Sequence, residues 1–549
     1  MNTKSLITTL FLLGTSMAVF AQKFAQKDTT KKQTIDITSS YKPVLRNAVK
    51  VNFSATNLPA DTSKTVGPYT VPPQNLFFTY QPISLKPLAL QQDTALELGG
   101  RNFIKLGYGN LSTPYANAGF SFGDGKKSLV NFYADYISST GKIKNQDYSR
   151  MNIKGSGSYF TNRNEIYGNV GYSQHEYGLY GYDHLMHNYD KSDVLQRFQD
   201  LSIKGGFRNK DKNETGINYN PTVLLSVFHS QDKLAEGSVV IDAPVEKTFG
   251  DVFSIKVAVN ADLTNYTTEG MIPNNIKFHN NIFQIAPELI YAKQTITIHG
   301  GISPTWDNNK LSVLPNIYGE AQIKDKAFLV EAGLIGRFIK NSYRNLSAIN
   351  PYLAPVTFQK NTKETEFYGG IKASVGKHFN FSAKAGVISY NNLPLYINDT
   401  ATDYKSFRVS YESKLTDLRI HADMSFVSQD KFTITGGLTL NGYTGLSDND
   451  KAWGTIPLEF VGSMRWWAYK HLLLKADFKT FAGGPYLLKN NVNGTLSGGT
   501  DLSAGMEYVI NKKFSAWLDF NNIFNNKYER WHNYEVYGMN ILGGVIYKF

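Results

Sequence analysis

From about Asn102 onward the chain is a long series of segments in which apolar and polar residues alternate. Leu418, Ile420, Ala422, Met424 and Phe426 are interleaved with Arg419, His421, Asp423 and Ser425, and Leu472, Leu474, Ala476 and Phe478 with Lys475, Asp477 and Lys479. Phe379, Phe381, Ala383, Ala385 and Val387 against Asn380, Ser382, Lys384 and Gly386 repeat the pattern, as do Phe514, Ala516, Leu518 and Phe520. A period of two is that of a β-strand, whose successive side chains point to opposite faces; a helix would scatter these charges around its whole surface. No interior segment approaches the run of about 20 apolar residues that a membrane helix needs. If the chain is integral to a membrane, its strands must close into a barrel, because lipid offers no hydrogen-bond partner to an open sheet edge.

The two ends of the chain favour that membrane. Met1 to Ala21 has the parts of a secretory signal: Lys4, an apolar run from Leu6 to Phe20, and a cleavage site before Gln22. At the other end Tyr537, Met539, Ile541, Gly543, Val545, Tyr547 and Phe549 are expected to share one face of a final strand. Gly538, Asn540, Gly544 and Lys548 take the other face, with Leu542 and Ile546 as its apolar exceptions. A terminal aromatic on such a strand marks a bacterial outer-membrane barrel, and Tyr537, Met539, Ile541, Val545, Tyr547 and Phe549 are the expected signal for the barrel assembly machinery. Outer-membrane lipid is the other expected partner.

Composition agrees with that class. The chain holds 34 Tyr, 34 Phe and 46 Gly, and its mean hydropathy is negative, as expected when the lumen is polar and the interfaces are aromatic. With no cysteine, disulfides and thiolate chemistry are excluded. A net charge of +12 without a basic block gives no reason to expect nucleic acid as a partner.

Short polar turns recur at 123–127, 161–164, 209–213, 250–251, 292–295, 324–326, 376–378, 429–431, 469–471 and 511–513. Outer-membrane barrels place short turns on the periplasmic side, so each interval between turns holds one strand up, a longer connection and one strand down. The count is about 22 antiparallel strands, with both termini periplasmic. The longest connections, at 175–200, 341–364, 391–415 and 482–498, would face the exterior and carry any recognition. Residues 22–100 differ in kind: six prolines punctuate the stretch from Pro59 to Pro87, and it reads as a short periplasmic or lumenal arm, or as a linker, ahead of a barrel over 101–549.

Asp519-Phe520-Asn521-Asn522-Ile523-Phe524-Asn525-Asn526-Lys527-Tyr528, then Arg530-Trp531 and the closing Gly543-Gly544-Val545-Ile546-Tyr547-Lys548-Phe549, resemble the C-terminal end of TonB-dependent receptor barrels, most closely Bacteroidota members. The resemblance extends back through Pro457 and Ala452-Trp453. It implies binding or passage of an external solute across the outer membrane, and a plug domain for which residues 22–100 are too short. Thr34, Ile35, Asp36, Ile37 and Thr38 are readable as a TonB-box-like strand, which would make TonB a partner. The missing plug leaves as the alternative a structural subunit that docks an outer-membrane partner protein.

Catalysis is not expected. There is no serine elbow, metalloprotease helix or dinucleotide fingerprint, and Gly123-Asp124-Gly125-Lys126-Lys127 reads as a hairpin turn. His175, Asp183, His184 and His187 gather in the first long connection without the spacing of a metal site, so no cofactor is expected. Tyr177, Tyr180, Tyr182 and Tyr189 beside them could stack on ligand rings or serve as interface aromatics.

Overall fold

The computed structural model of the protein describes residues 102–549 except 211–214, 232, 270–274, 324–327, 377, 429–430 and 489–490. The signal-like segment and the whole Pro-rich arm over 22–100, Thr34–Thr38 included, lie outside the described residues. Successive wall strands pair antiparallel, from Phe103–Gly109 with Thr113–Gly123 through to Phe514–Asn521 with Asn540–Lys548. The last strand also pairs with the first, Leu106 lying opposite Val545, and the sheet closes on itself. Ile217–Tyr219 and Thr222–Ser230 both pair with Leu234–Phe249 and are two halves of one strand, interrupted at Asn220-Pro221 where proline has no N–H to donate. Counted as one, they leave an all-β barrel of 22 strands, as the spacing of turns predicts.

Strand boundaries fall at the expected turns. Thr113–Gly123 hands over to Ser128–Ser139, and Leu458–Tyr469 to Leu472–Phe481. The first of these turns shows why the polar residues are there: one Asp124 carboxylate oxygen accepts from the backbone N–H of Lys126, Lys127 and Ser128 at 2.9, 2.7 and 3.0 Å. Those bonds favour the ionised form and hold the carboxyl below its usual range.

Alternation sets the two faces. Leu106 and Val545 are half exposed on the outside, whereas their chain neighbours Lys105 and Ile546 are buried within. Leu225, Ile241, Val257, Ile317, Phe367, Val387 and Ile420 continue the outer apolar belt. That belt suits a lipid environment, which would take the place of the second layer a soluble sheet needs. Among the described residues no helix is long and apolar enough to cross a membrane.

The closing strand differs from expectation at its start. It begins at Asn540, so Tyr537 and Met539 belong to the preceding connection, while Ile541, Val545 and Tyr547 sit on it as expected. The two apolar exceptions have a purpose: Leu542 and Ile546 pack inside the wall with Phe103, Ile137 and Trp517 in an apolar cluster beside the closure seam.

Candidate functional site

One rim of the barrel carries only short turns; the other carries every long connection. The long connections do not extend away from the barrel but pack on one another. A cluster of buried side chains contains Tyr180 from 179–194, Tyr343, Leu346, Tyr352, Leu353 and Val356 from 340–361, Tyr396 and Phe407 from 392–414, and Trp531 and Tyr534 from 522–539. Phe198, Phe228, Leu234 and Tyr266 on the wall complete it. The connections at 179–194 and 392–414 follow the fifth and fifteenth wall strands, nearly opposite each other in the ring, and they touch: Tyr189 donates to the Asp403 carboxylate. Loops that meet across a ring's diameter form a cap.

Tyr534 is at its centre and fully buried. Its ring stacks on Tyr352 with centroids 3.5 Å apart and meets Tyr180 edge-on at 4.8 Å, while its hydroxyl donates to the Lys405 carbonyl. Trp531 meets Tyr396 and Phe407 edge-on at 5.3 and 5.4 Å. Such pairings add about 0.5–1.5 kcal/mol each beyond the area they bury. Three tyrosine hydroxyls are satisfied by loop carbonyls: Tyr180 donates to Glu535 at 2.8 Å, Tyr396 to Leu346 at 3.2 Å and Tyr343 to Leu353 at 2.8 Å. Burial pushes the Tyr180 hydroxyl up to about 12, against the hydrogen bonds from Gln146 and Tyr352 that pull it down.

The sequence makes the loops inward-folding in two ways. Aromatic residues stand where a solvated loop would be polar, and glycine lets backbones approach. Gly454 has a φ of 74°, and a Cβ there would meet Trp531 at 2.9 Å; its carbonyl accepts from Arg530 at 2.8 Å. A second cluster joins Trp453 and Ala452 of 445–457 to Leu395 and Ile397 of 392–414 and to Ile388, Tyr390 and Leu415 at the rim. The Glu412 carboxylate ties the same two loops, accepting from the N–H groups of Ser447, Asp448 and Asn449 at 2.7, 3.0 and 2.9 Å.

The wall grips the cap through charge. A short helix, Tyr343–Ile349, is capped by Ser342 and held by Glu236 of the wall, whose carboxylate accepts from the Tyr343 N–H at 2.7 Å. Arg344 on that helix pairs with Asp200 at 2.6 Å. Below it, lumenal charges pair with each other: Arg419 with Asp417 at 2.8 Å, Lys384 with Glu366 at 2.8 Å, and Arg337 with Glu364 at 2.7 Å. These pairs occupy the polar face of the alternating strands, as the pattern predicts.

Residues singled out in the sequence separate here. His175 sits on the wall strand Asn164–Gly178, not in the loop, while His184 accompanies Tyr182 and His187 approaches Asp403 at 3.9 Å. Among the described residues no group of three or more His, Asp or Glu side chains converges as metal ligands. Tyr180 and Tyr182 are buried and used in packing, which answers the choice between ligand stacking and a structural place. Tyr537 packs edge-on against Tyr148 in the cap and donates to the Gln146 carbonyl. Sequence reasoning missed the connections 445–457 and 522–539; the lapse of alternation between Asn522 and Met539 was the available signal.

Neither a protein-family pattern nor a curated protein matches the sequence. Solved structures do match. The FrpB iron transporter from Neisseria meningitidis superposes with a TM-score of 0.63 at 12% identity, covering 82% of this chain and 81% of that one. The siderophore receptor PirA from Acinetobacter baumannii gives 0.62 at 9% identity, over 82% and 80%. The pyoverdine outer membrane receptor FpvA from Pseudomonas aeruginosa gives 0.61 at 11% identity, over 82% and 78%. At such identities the likeness is one of fold, and it agrees with the strand count, the apolar belt and the C-terminal resemblance. The chain is an outer-membrane β-barrel with the fold of the TonB-dependent receptors.

Proposed function

We propose that the barrel binds an external solute and passes it across the outer membrane, with the cap as the part that must yield. The observation that carries this reading is the cap itself: a wall of 22 strands encloses a wide lumen, and loops from opposite sides close one end of it by aromatic packing. The orientation follows from loop length, long connections outward and short turns toward the periplasm. The structural neighbours named as iron, copper and siderophore proteins support transport as the class of function; the ligand here is a separate matter, since the cap offers no converging metal ligands among the described residues. TonB is the proposed energy-coupling partner, through Thr34–Thr38. A purely structural role in an envelope assembly draws no support from those neighbours, and none of them is named as an enzyme.

Purified protein in a planar bilayer tests the reading. The intact chain is expected to show little steady conductance, and variants that unpack the cap or lack residues 22–91 are expected to conduct. Absence of conductance in every form, together with no solute binding, would refute it.

A further inference from the structure

Four neighbouring strands that support the cap on their inner face carry an unmatched polar surface on the outer one. They are Thr222–Ser230, Leu234–Phe249, Phe253–Thr268 and Ile276–Lys293. At the exterior rim Phe228, Leu234 and Tyr266 are buried in the cap cluster, and alternation turns their chain neighbours outward. Lys277 and His279 share the outer face of the last of these strands, with Thr267 and Asn265 directly opposite them in register. Ala235 and Gly237 oppose that pair in turn, and His229 opposes Ala235. A Cβ at Gly237 would meet nothing within 4 Å. A shallow floor of small residues therefore lies between His229 on one side and Lys277 and His279 on the other.

Toward the periplasm the same outer faces become Val227, Val239, Leu263 and Phe283, the upper edge of the apolar belt. Above that edge Lys277, His279, His229 and Asn265 are exposed, and none of their side chains makes a hydrogen bond or ion pair among the described residues. Other parts of the outer face are arranged otherwise at this height. On Asn164–Gly178 and Leu195–Asn209, Arg197 donates to Glu176 at 2.6 Å and Gln199 to Gln174 at 2.9 Å, so that surface satisfies itself. On Leu415–Ser428 and Phe432–Thr444 the outer face ends in Leu418 and Thr416, and in Gly442 and Thr444, without a charge.

We propose that this patch binds the phosphate-bearing headgroup of a lipid in the outer leaflet, held by Lys277, His279 and Asn265, with His229 closing the far side. Lys277 supplies the charge, and the histidines and the Asn265 amide supply N–H donors. Lys277 and His279 are about 7 Å apart along one face, and Asn265 is about 5 Å from His279 across the ladder, so one phosphate reaches all three. Bonds from an ammonium to an anionic phosphate are charge-assisted and the stronger for it. Position decides the source of that phosphate. The patch is on the outside of the wall, beyond reach of a solute in the lumen, and acyl chains against Val227, Leu263 and Phe283 would bring a headgroup to its height. Glu269, exposed at the rim beyond Thr267 without an ion pair, opposes an anion and weakens the site.

Native mass spectrometry of the full chain released from detergent, titrated with phosphatidic acid or diacylglycerol, reads bound lipid directly. Phosphatidic acid is expected to be retained at about tenfold lower concentration than diacylglycerol, which has the same chains without the phosphate. Lys277→Gln with His279→Gln should remove that preference while leaving diacylglycerol retention and the heat-modifiable migration of a folded barrel unchanged, and Lys277→Arg should keep it. Glu269→Gln should sharpen it. Lys512→Gln with Lys513→Gln, at an exposed turn of the opposite rim, should leave it unaltered, which separates a site from the general attraction of an anionic lipid to a basic protein. Millimolar inorganic phosphate should not displace the lipid. Equal retention of the two lipids, an equal loss in the 512/513 and 277/279 variants, or displacement by inorganic phosphate would overturn the proposal. The inference stands apart from the transport reading: absence of conductance in every form refutes that reading and leaves lipid retention unaffected.

Discussion

The wall and the cap are built from the same chain, yet different forces hold them. In the wall each strand is held by two neighbours through a continuous ladder, and loss of any one side chain leaves the backbone bonds in place. In the cap the long-range contacts are made largely by side chains: Tyr534 on Tyr352 and Tyr180, Trp531 on Phe407, and tyrosine hydroxyls on loop carbonyls. Stability is therefore distributed in the one and concentrated in the other. The difference teaches how such a molecule could open without unfolding: a set of aromatic contacts and a few backbone bonds between loops, such as Phe407 N–H to the Tyr352 carbonyl at 2.9 Å, have to part, and the ladder is untouched.

The comparison breaks most sharply at Tyr534. Replacing it by alanine removes the ring that joins three loops, and the expected loss is about 3–5 kcal/mol of cap packing. Bilayer conductance should rise while the heat-modifiable migration typical of a folded barrel persists; joint loss of both would mean that cap and wall are one cooperative unit. The wall should show the opposite response at Ile420, which is exposed on the outer face while its neighbour Arg419 faces the lumen. Ile420→Arg is expected to cost about 2–4 kcal/mol if the site lies near the bilayer midplane, read in a refolding titration, with cap-dependent conductance unchanged.

A weaker effect is expected at Glu412. Its removal leaves the N–H groups of Ser447, Asp448 and Asn449 without their acceptor, at about 1–3 kcal/mol, and should raise hydrogen exchange at those amides. Burial raises this carboxyl, but the bonds from Asn449, Asp448 and Ser447 outweigh it and leave it below its ordinary value. The tie is accordingly complete above the ordinary carboxylate range and is lost as pH falls through the depressed value. Exchange at 447–449 that does not respond to acid would count against it.

The alkaline side gives the smallest and most gradual change. Tyr180, raised by burial to about 12, contributes in full below the unfolded tyrosine value of about 10 and loses that contribution as pH climbs toward 12. Tyrosinate absorbance should rise late, and conductance with it; early ionisation would indicate a cap already open to water.

Much of the wall was legible because its physics is local. Leu418 to Phe426 announce a strand by alternation alone, and the turn at Asp124 carries its own hydrogen-bonding chemistry. The cap was much less so. Nothing near Trp531 in the chain indicates that it will meet Phe407 or Tyr396, and Tyr537 satisfied the period of the last strand while belonging to the connection before it. Periodicity continues a pattern past its true end when the residues happen to fit.

By itself the sequence determined strands, turns and the face each side chain takes, because those follow from the two-residue period, the turn residues and the solvent on either side. Only the tertiary structure decided which loops meet over the lumen. Those contacts join residues hundreds of positions apart, and they arise from ring closure, which no local pattern encodes.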